Sequence, residues 1–261
     1  MVIIDKEKCV GCGKCIADCV AGNLEFVDNK ANVKGACLQC GHCVAMCQSD
    51  AVTIPEYDMD DVEIIDLDNK IDPNLLLKCI KSRRSIRDFT EKKISEEDMK
   101  LLAEAGRYTA TAKNGQFHRY IFIQDELDKL KDMVWGYIDA LPQTDSNGSM
   151  NYEAYKSFLN RKNNNASDDF LFRNAPTVLF ITSQRYLDAG LAAQNMELMA
   201  NSLGMGVLYN GFLVRIADEN TELKKWLGIE NETICACMLI GYPKQKYHKT
   251  APRKSAAVTI R

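Results

Sequence analysis

Cys9-Val10-Gly11-Cys12-Gly13-Lys14-Cys15-Ile16-Ala17-Asp18-Cys19 returns further on as Cys37-Leu38-Gln39-Cys40-Gly41-His42-Cys43-Val44-Ala45-Met46-Cys47. Both stretches read C-x2-C-x2-C-x3-C, offset by 37 − 9 = 28 residues. The offset holds beyond the cysteines: Gly13 matches Gly41, Ala17 matches Ala45, Leu24 matches Val52 and Phe26 matches Ile54. This is an internal duplication, and each half is expected to form one unit of cysteine loop, short helix and strand. Three cysteines at i, i+3 and i+6 on a tight loop can aim three thiolates at one face of a compact metal group. Gly11, Gly13 and Gly41 permit the wrap and bring backbone N–H groups towards the sulfurs. The fourth cysteine, four residues on, starts a helix that heads away.

Eight of the 11 cysteines lie in this region; Cys79, Cys235 and Cys237 are the others. A chain of 261 residues buries enough surface to fold without staples. An odd cysteine count in such a chain is a poor match to a disulfide scaffold. The charge, 33 − 36 = −3, argues against a binder driven by nucleic-acid phosphates. No apolar run follows a basic start, so no signal peptide is expected. Runs such as Val178-Leu179-Phe180-Ile181 are far too short to span a bilayer. The expected setting is soluble, reducing and cytoplasmic, with no membrane and no nucleic-acid partner.

The duplicated motif resembles the bacterial two-cluster ferredoxins. That resemblance implies one 4Fe–4S cluster held by Cys9, Cys12, Cys15 and Cys47, and another held by Cys37, Cys40, Cys43 and Cys19. The proline usual after each fourth cysteine is replaced here by Val20 and Gln48. Paired zinc sites are the competing reading, but zinc favours two C-x2-C knuckles separated by a longer gap.

Residues 1–57 are expected to form this ferredoxin-like domain. The acidic stretch after Pro55, with Asp58, Asp60, Asp61, Glu63 and Asp66, reads as a linker over 58–72. A second domain is expected over 73–261. Asp72-Pro73 opens a helix there, and Ser95 with Asp98 three residues on is a helix-start signature. Tyr120–Ile123, Val178–Thr182 and Ile234–Ile240 read as strands, and Val258–Ile260 as a last strand. Asp188 is expected to cap a long helix reaching Leu203, and Thr221–Leu227 to form a short one. The fold class is therefore α+β.

No G-x-G-x-x-G turn follows a strand, and Gly204-Met205-Gly206 lies at a helix end. A basic cluster stands out instead, Arg83-Arg84-Ser85-Ile86-Arg87-Asp88-Phe89, which could grip a phosphate but by itself reads more readily as a solvated loop. Together with Thr109–Phe117, Leu203-Gly204-Met205-Gly206 plus Tyr209-Asn210-Gly211-Phe212, and Gly241-Tyr242-Pro243 plus Pro252-Arg253-Lys254, it resembles the nitroreductase family of FMN flavoproteins over about residues 73–261. Phe117 stands where the family usually has proline, and Thr111 or Ala112 where it has serine.

This second resemblance implies that Arg83, Ser85, Arg253 and Lys254 bind the FMN phosphate, with Arg84 beside them. Arg87 and Asn114 would reach the pyrimidine end of the flavin, and Gln116 the ribityl chain or ring. The loop Tyr209-Asn210-Gly211 would give flavin N5 a backbone N–H. It also implies a homodimer with the long helix in its interface. The implied activity is FMN-dependent reduction of small electron-poor acceptors, nitroaromatics or quinones, with the flavin itself as the catalytic group. The clusters would pass electrons between the flavin and a ferredoxin-like protein, and NAD(P)H is a possible donor. The alternatives are a non-enzymatic relay or redox sensor, or ene reduction or dehalogenation on the same fold. Cys79, Cys235 and Cys237 read as core, His42 as exposed and His118 as structural. The polar stretch 141–174, with Tyr152, Tyr155, Phe158 and Phe170 in it and Trp135 nearby, is expected to roof the flavin with an aromatic.

Overall fold

The two halves of the repeat interlock. The computed structural model describes residues 1–66, 68, 70–141, 150–165 and 167–261, with Met150 and Asn151 as backbone only. They form two compact units: Met1–Lys70 with Thr111–Gly115, and Ile71–Ala110 with Gln116–Arg261.

The first unit holds β1 (Ile3–Ile4), α1 (Lys14–Asp18), β2 (Leu24–Val27), β3 (Lys30–Val33), α2 (His42–Ala45) and β4 (Val52–Thr53). β1 pairs antiparallel with β4, and β2 with β3, so each ladder takes one strand from each half of the repeat. The β2–β3 hairpin turns on Asp28 and Asn29, at φ 50° and 58°, the left-handed pair that a type I′ turn requires. Gly13 and Gly41 cap α1 and α2 at φ 72° and 76°, as the duplication implied. Gly11 is fixed by space as well as by φ, because a Cβ there would meet the Asn29 carbonyl oxygen at 2.2 Å. The core is small: Val2, Leu24, Ala31, Ala51, Val52 and Ile54 beside Cys9. Neither helix buries a single residue. The acidic stretch read as a linker contains a 3-10 turn, Met59–Asp61, capped by Asp58, and groups with this unit.

The second unit contains α3 (Pro73–Ser82), α4 (Glu96–Arg107), β5 (Arg119–Ile123), α5 (Leu127–Ala140), α6 (Met150–Asn164), β6 (Thr177–Thr182), α7 (Tyr186–Ser202), β7 (Gly206–Tyr209), α8 (Gly211–Glu219), α9 (Thr221–Leu227) and β8 (Ile234–Gly241). Its antiparallel sheet has the order β5-β6-β8-β7. Every residue of β6 is buried, because both faces of the sheet are covered. Val178, Phe180, Cys237 and Leu239 face a core shared with α5, α6, α8 and α9. Leu179, Ile181, Ala236, Met238 and Ile240 face the other core, shared with α4 and α7. Alternation along a strand sends successive side chains into the two layers.

Asp72 and Ser95 cap α3 and α4, each accepting a backbone N–H. Several expectations fail. Cys19 and Cys47 start no helix: they follow α1 and α2, with Cys19 as the C-cap of α1. Asp188 does not cap α7; Arg185 does, and Asp188 is buried in the first turn. Val258–Ile260 forms no strand, and those residues are exposed, with no neighbouring strand to accept them. Cys79 is only half-buried, its sulfur receiving Asn201 Nδ2 at 3.5 Å, because α3 buries no residue. Cys237 is core, whereas Cys235 is half-buried and donates to Ser183 O at 3.3 Å. Among the described residues, no helix is long and apolar enough to cross a membrane.

Candidate functional site

All eleven cysteines are free. In the first unit the motif cysteines gather in two groups. Burial pushes the Cys15 thiol up, and the neighbouring Cys12, Cys9 and Cys47 push it further. Burial raises Cys43 to about 11, with Cys37 and Cys40 adding to it. Cys15, Cys19, Cys37, Cys40 and Cys43 line one pocket. Cys15 thus neighbours Cys9, Cys12 and Cys47, and Cys43 neighbours Cys37 and Cys40. Among the described residues, no three His, Cys, Asp or Glu side chains close on a single-ion site.

Backbone N–H groups already point at the sulfurs: Asn23 to Cys19 at 3.4 Å, Gln39 to Cys37 at 3.2 Å and Ala51 to Cys47 at 3.3 Å. Such bonds stabilise thiolate over thiol and set a cluster's potential. Thiols raised by burial are protonated at neutral pH, so metal uptake here must expel protons. His42 is exposed, as expected, and contacts Asp18 at 2.8 Å.

In the second unit, the segment 83–89 lies against the sheet. Ser85 bridges Val207 of β7, and Phe89 bridges Pro243. The approach is close: a Cβ on Gly206 would meet Ile86 Cγ1 at 2.1 Å. A cleft of about 430 Å³ opens beside it, lined by Arg83, Arg84, Glu197, Gly206, Lys246 and His248 among others. Arg84 stacks on Tyr247, 5.1 Å from the ring centroid.

Glu197, 2% exposed, holds Arg83 through an Nη1–Oε1 contact of 2.9 Å, and Gln194 donates to its other oxygen at 3.3 Å. It also bonds the Tyr209 phenol, whose pKa is raised by burial and then by that carboxylate. Sequence reading missed Glu197. Its signal was present: an acid four residues after Ala193 and three before Ala200, on a buried helix stripe, requires a partner.

Asn210 caps α8 by accepting the Leu213 N–H at 3.0 Å, and its Nδ2 donates to Leu171 O at 2.7 Å. Its own backbone N–H is taken by Cys237 O. Gly211 and Phe212 open α8, so their N–H groups have no preceding turn to bond them. A Cβ on Gly211 would meet nothing within 4 Å. Phe212 packs edge-on against Phe158 and Tyr155 of α6, at 4.9 and 6.3 Å. Tyr155 and Phe158 of the polar stretch are thus buried against the residue next to Gly211; residues 142–149 and 166 of that stretch lie outside the described residues.

Not every residue of the resemblance gathers here. Arg253 and Lys254 are exposed on the C-terminal stretch, where Arg253 donates to its neighbour Pro252 O. Asn114 groups with the first unit and donates from Nδ2 to Gln39 O at 2.8 Å. Gln116 and Arg87 are exposed. Desolvation lowers the pKa of His118, which packs against Tyr120, and its Nε2 is buried without a partner.

The sequence pattern of the nitroreductase family matches residues 80–242, more than half the chain. The chain belongs to the nitroreductase family. The pattern of the 4Fe-4S dicluster domain matches residues 1–82. An "FMN reductase (NADPH)" of Bacillus subtilis is 28% identical over 155 residues, which is 58% of this chain and 59% of that protein. The chain therefore aligns with less than two thirds of that relative's length. Among solved structures, a nitroreductase with bound FMN from Bacteroides fragilis is 23% identical, with TM-score 0.58 over 71% of this chain and 97% of that one. A nitroreductase with bound FMN from Desulfitobacterium hafniense is 22% identical, with TM-score 0.56 and the same coverage. These likenesses establish that the second unit has the nitroreductase fold.

Proposed function

We propose that the protein is an FMN-dependent oxidoreductase of small electron-poor acceptors, such as nitroaromatics or quinones, whose two 4Fe–4S clusters exchange single electrons with the flavin. The observation that carries it is the pairing, on one chain, of eight free motif thiols in two groups with the wall made by segment 83–89, β7 and Gly211. When bound, FMN accepts two electrons together and releases them together or singly. The chain's own groups do the rest. Arg83, kept in place by Glu197, offers donors to the phosphate with Ser85, while Arg84, Arg253 and Lys254 add positive charge. Arg87 would serve the pyrimidine end and Gln116 the ribityl chain or ring. Tyr209 and Asn210 set the loop from which the Gly211 N–H would donate to flavin N5. Asn114 stays outside this proposal, because its amide is committed to Gln39 O.

Tethering holds the clusters at high effective concentration relative to the flavin. The donor is NAD(P)H at the flavin, a ferredoxin-like protein through the clusters, or both. The active form is a homodimer. Anaerobically purified protein should carry flavin and about eight iron atoms per chain. NAD(P)H or reduced ferredoxin should bleach the flavin, and a nitroaromatic should reoxidise it over many turnovers. A protein that turns over no small acceptor is a relay or sensor instead, and one without flavin defeats the reading outright.

Glu197 gives a sharper check. Glu197→Gln keeps an acceptor for Arg83 while removing a negative charge near the phosphate. Titrating FMN into apoprotein is expected to show roughly fivefold tighter binding, about 1 kcal/mol of removed repulsion. Weaker binding would mean that the carboxylate matters for orientation more than for charge.

A further inference from the structure

The turn before β6 carries a cation that the reading above leaves unused. Phe170–Asn174 is fastened on two sides. Asp169, paired with Lys131 at 2.8 Å, accepts the Phe172 and Asn174 N–H groups, and Leu171 O accepts Asn210 Nδ2 at 2.7 Å. Arg173 and Asn174 both sit in the left-handed region, at φ 58° and 54°. Glycine or asparagine adopts that conformation more easily than arginine, which holds it at a cost of order 1 kcal/mol. The Arg173 guanidinium lies 3.9 Å from the Phe170 ring centroid, and that of Arg161 lies 4.0 Å from it.

Arg161 is neutralised by a bidentate pair with Asp168. Among the described residues, neither Arg173 nor Arg87 has a carboxylate within ion-pair distance. Burial, Arg161 and Arg87 hold the Arg173 pKa below its usual value, against Asp168 and Asp169. A half-buried, stacked guanidinium with no direct ion pair can receive an anion. Its position is tied to the candidate site: Asn210 bonds the turn, and Phe170 packs on Phe158, which packs on Phe212 beside Gly211.

We propose that Arg173 grips a carboxylate or phosphate on the molecule that reacts at the flavin, so that this nitroreductase favours anionic reactants. The inference rests on the flavin reading above. The anion belongs either to the acceptor or to the nicotinamide donor, and two substrate pairs distinguish them. The first pair is 4-nitrobenzoate and 4-nitrobenzyl alcohol; the second is NADPH and NADH. The holoprotein is expected to favour the anionic acceptor, or the donor with the extra phosphate, by about tenfold in kcat/KM, chiefly through KM. Arg173→Asn, which suits the left-handed backbone, should abolish that preference while turnover of the less charged member and FMN content stay unchanged. Arg173→Lys should restore part of it. No preference in either pair, or an equal loss on both members in Arg173→Asn, overturns the inference. No turnover of any acceptor overturns the flavin reading itself, and this inference with it.

Discussion

Stripping iron from the protein is expected to unfold residues 1–70 and leave the second unit standing. The first unit has two short ladders, helices of five and four residues, and a core of six aliphatic side chains beside Cys9. Two-stranded ladders are marginal in water, and a domain this small seldom stands on its core alone. Its eight motif thiols stay unbridged, so no disulfide compensates. Cluster ligation must therefore supply most of its folding free energy, as metal does in other small metal-dependent domains. The second unit buries a four-stranded sheet between two helical layers and includes no motif cysteine. Hydrogen exchange checks this. After anaerobic chelation, amides of β2 and β3 should exchange at unfolded rates, while those of β6 and β8 stay protected. Protection of β2 and β3 without iron would contradict it.

Asn210→Ala is expected to be the most damaging single change at the candidate site. It removes the α8 cap, worth about 1 kcal/mol, and leaves the buried Leu171 carbonyl without its donor, worth about 1–3 kcal/mol. A loss of about 2–4 kcal/mol lowers the melting temperature of a unit this size by roughly 10 °C. Gly211 follows Asn210 directly, so flavin content should fall as well. Asn210→Ser keeps a cap acceptor and loses only the Leu171 bond, so about two thirds of the effect is expected. Thermal melts of the two variants, with flavin content read alongside, test both statements. Equal, small losses would show that the side chain does not hold this loop.

Sequence carried much of the cysteine module, because its chemistry lies in spacing: the repeat and the left-handed glycines followed from it, whereas the short helices precede the fourth cysteines instead of starting at them. The central strands β5, β6 and β8 were legible as apolar runs. β7 was not, since four residues after Gly204-Met205 look like the tail of a helix, and only pairing with β8 makes them a strand. Asp188 looks like a cap because acids favour the first turn, yet Arg185 precedes the helix and Asp188 lies within it. Val258–Ile260 has strand composition, but strand formation needs a partner edge. Glu197 was readable from its place on a buried stripe. Arg173 was not, because its left-handed backbone and the stacking on Phe170 arise only once the 170–174 turn is fastened to Asn210.

The central claim, that clusters and flavin share one electron path, is tested most directly by comparing two donors. Nitroaromatic reduction should be driven once by NAD(P)H and once by reduced ferredoxin, in holoprotein and in iron-stripped protein that retains its FMN. Ferredoxin-driven turnover is expected to fall at least about tenfold on loss of iron, while NAD(P)H-driven turnover persists. Ferredoxin-driven turnover that is unchanged without iron would contradict the account.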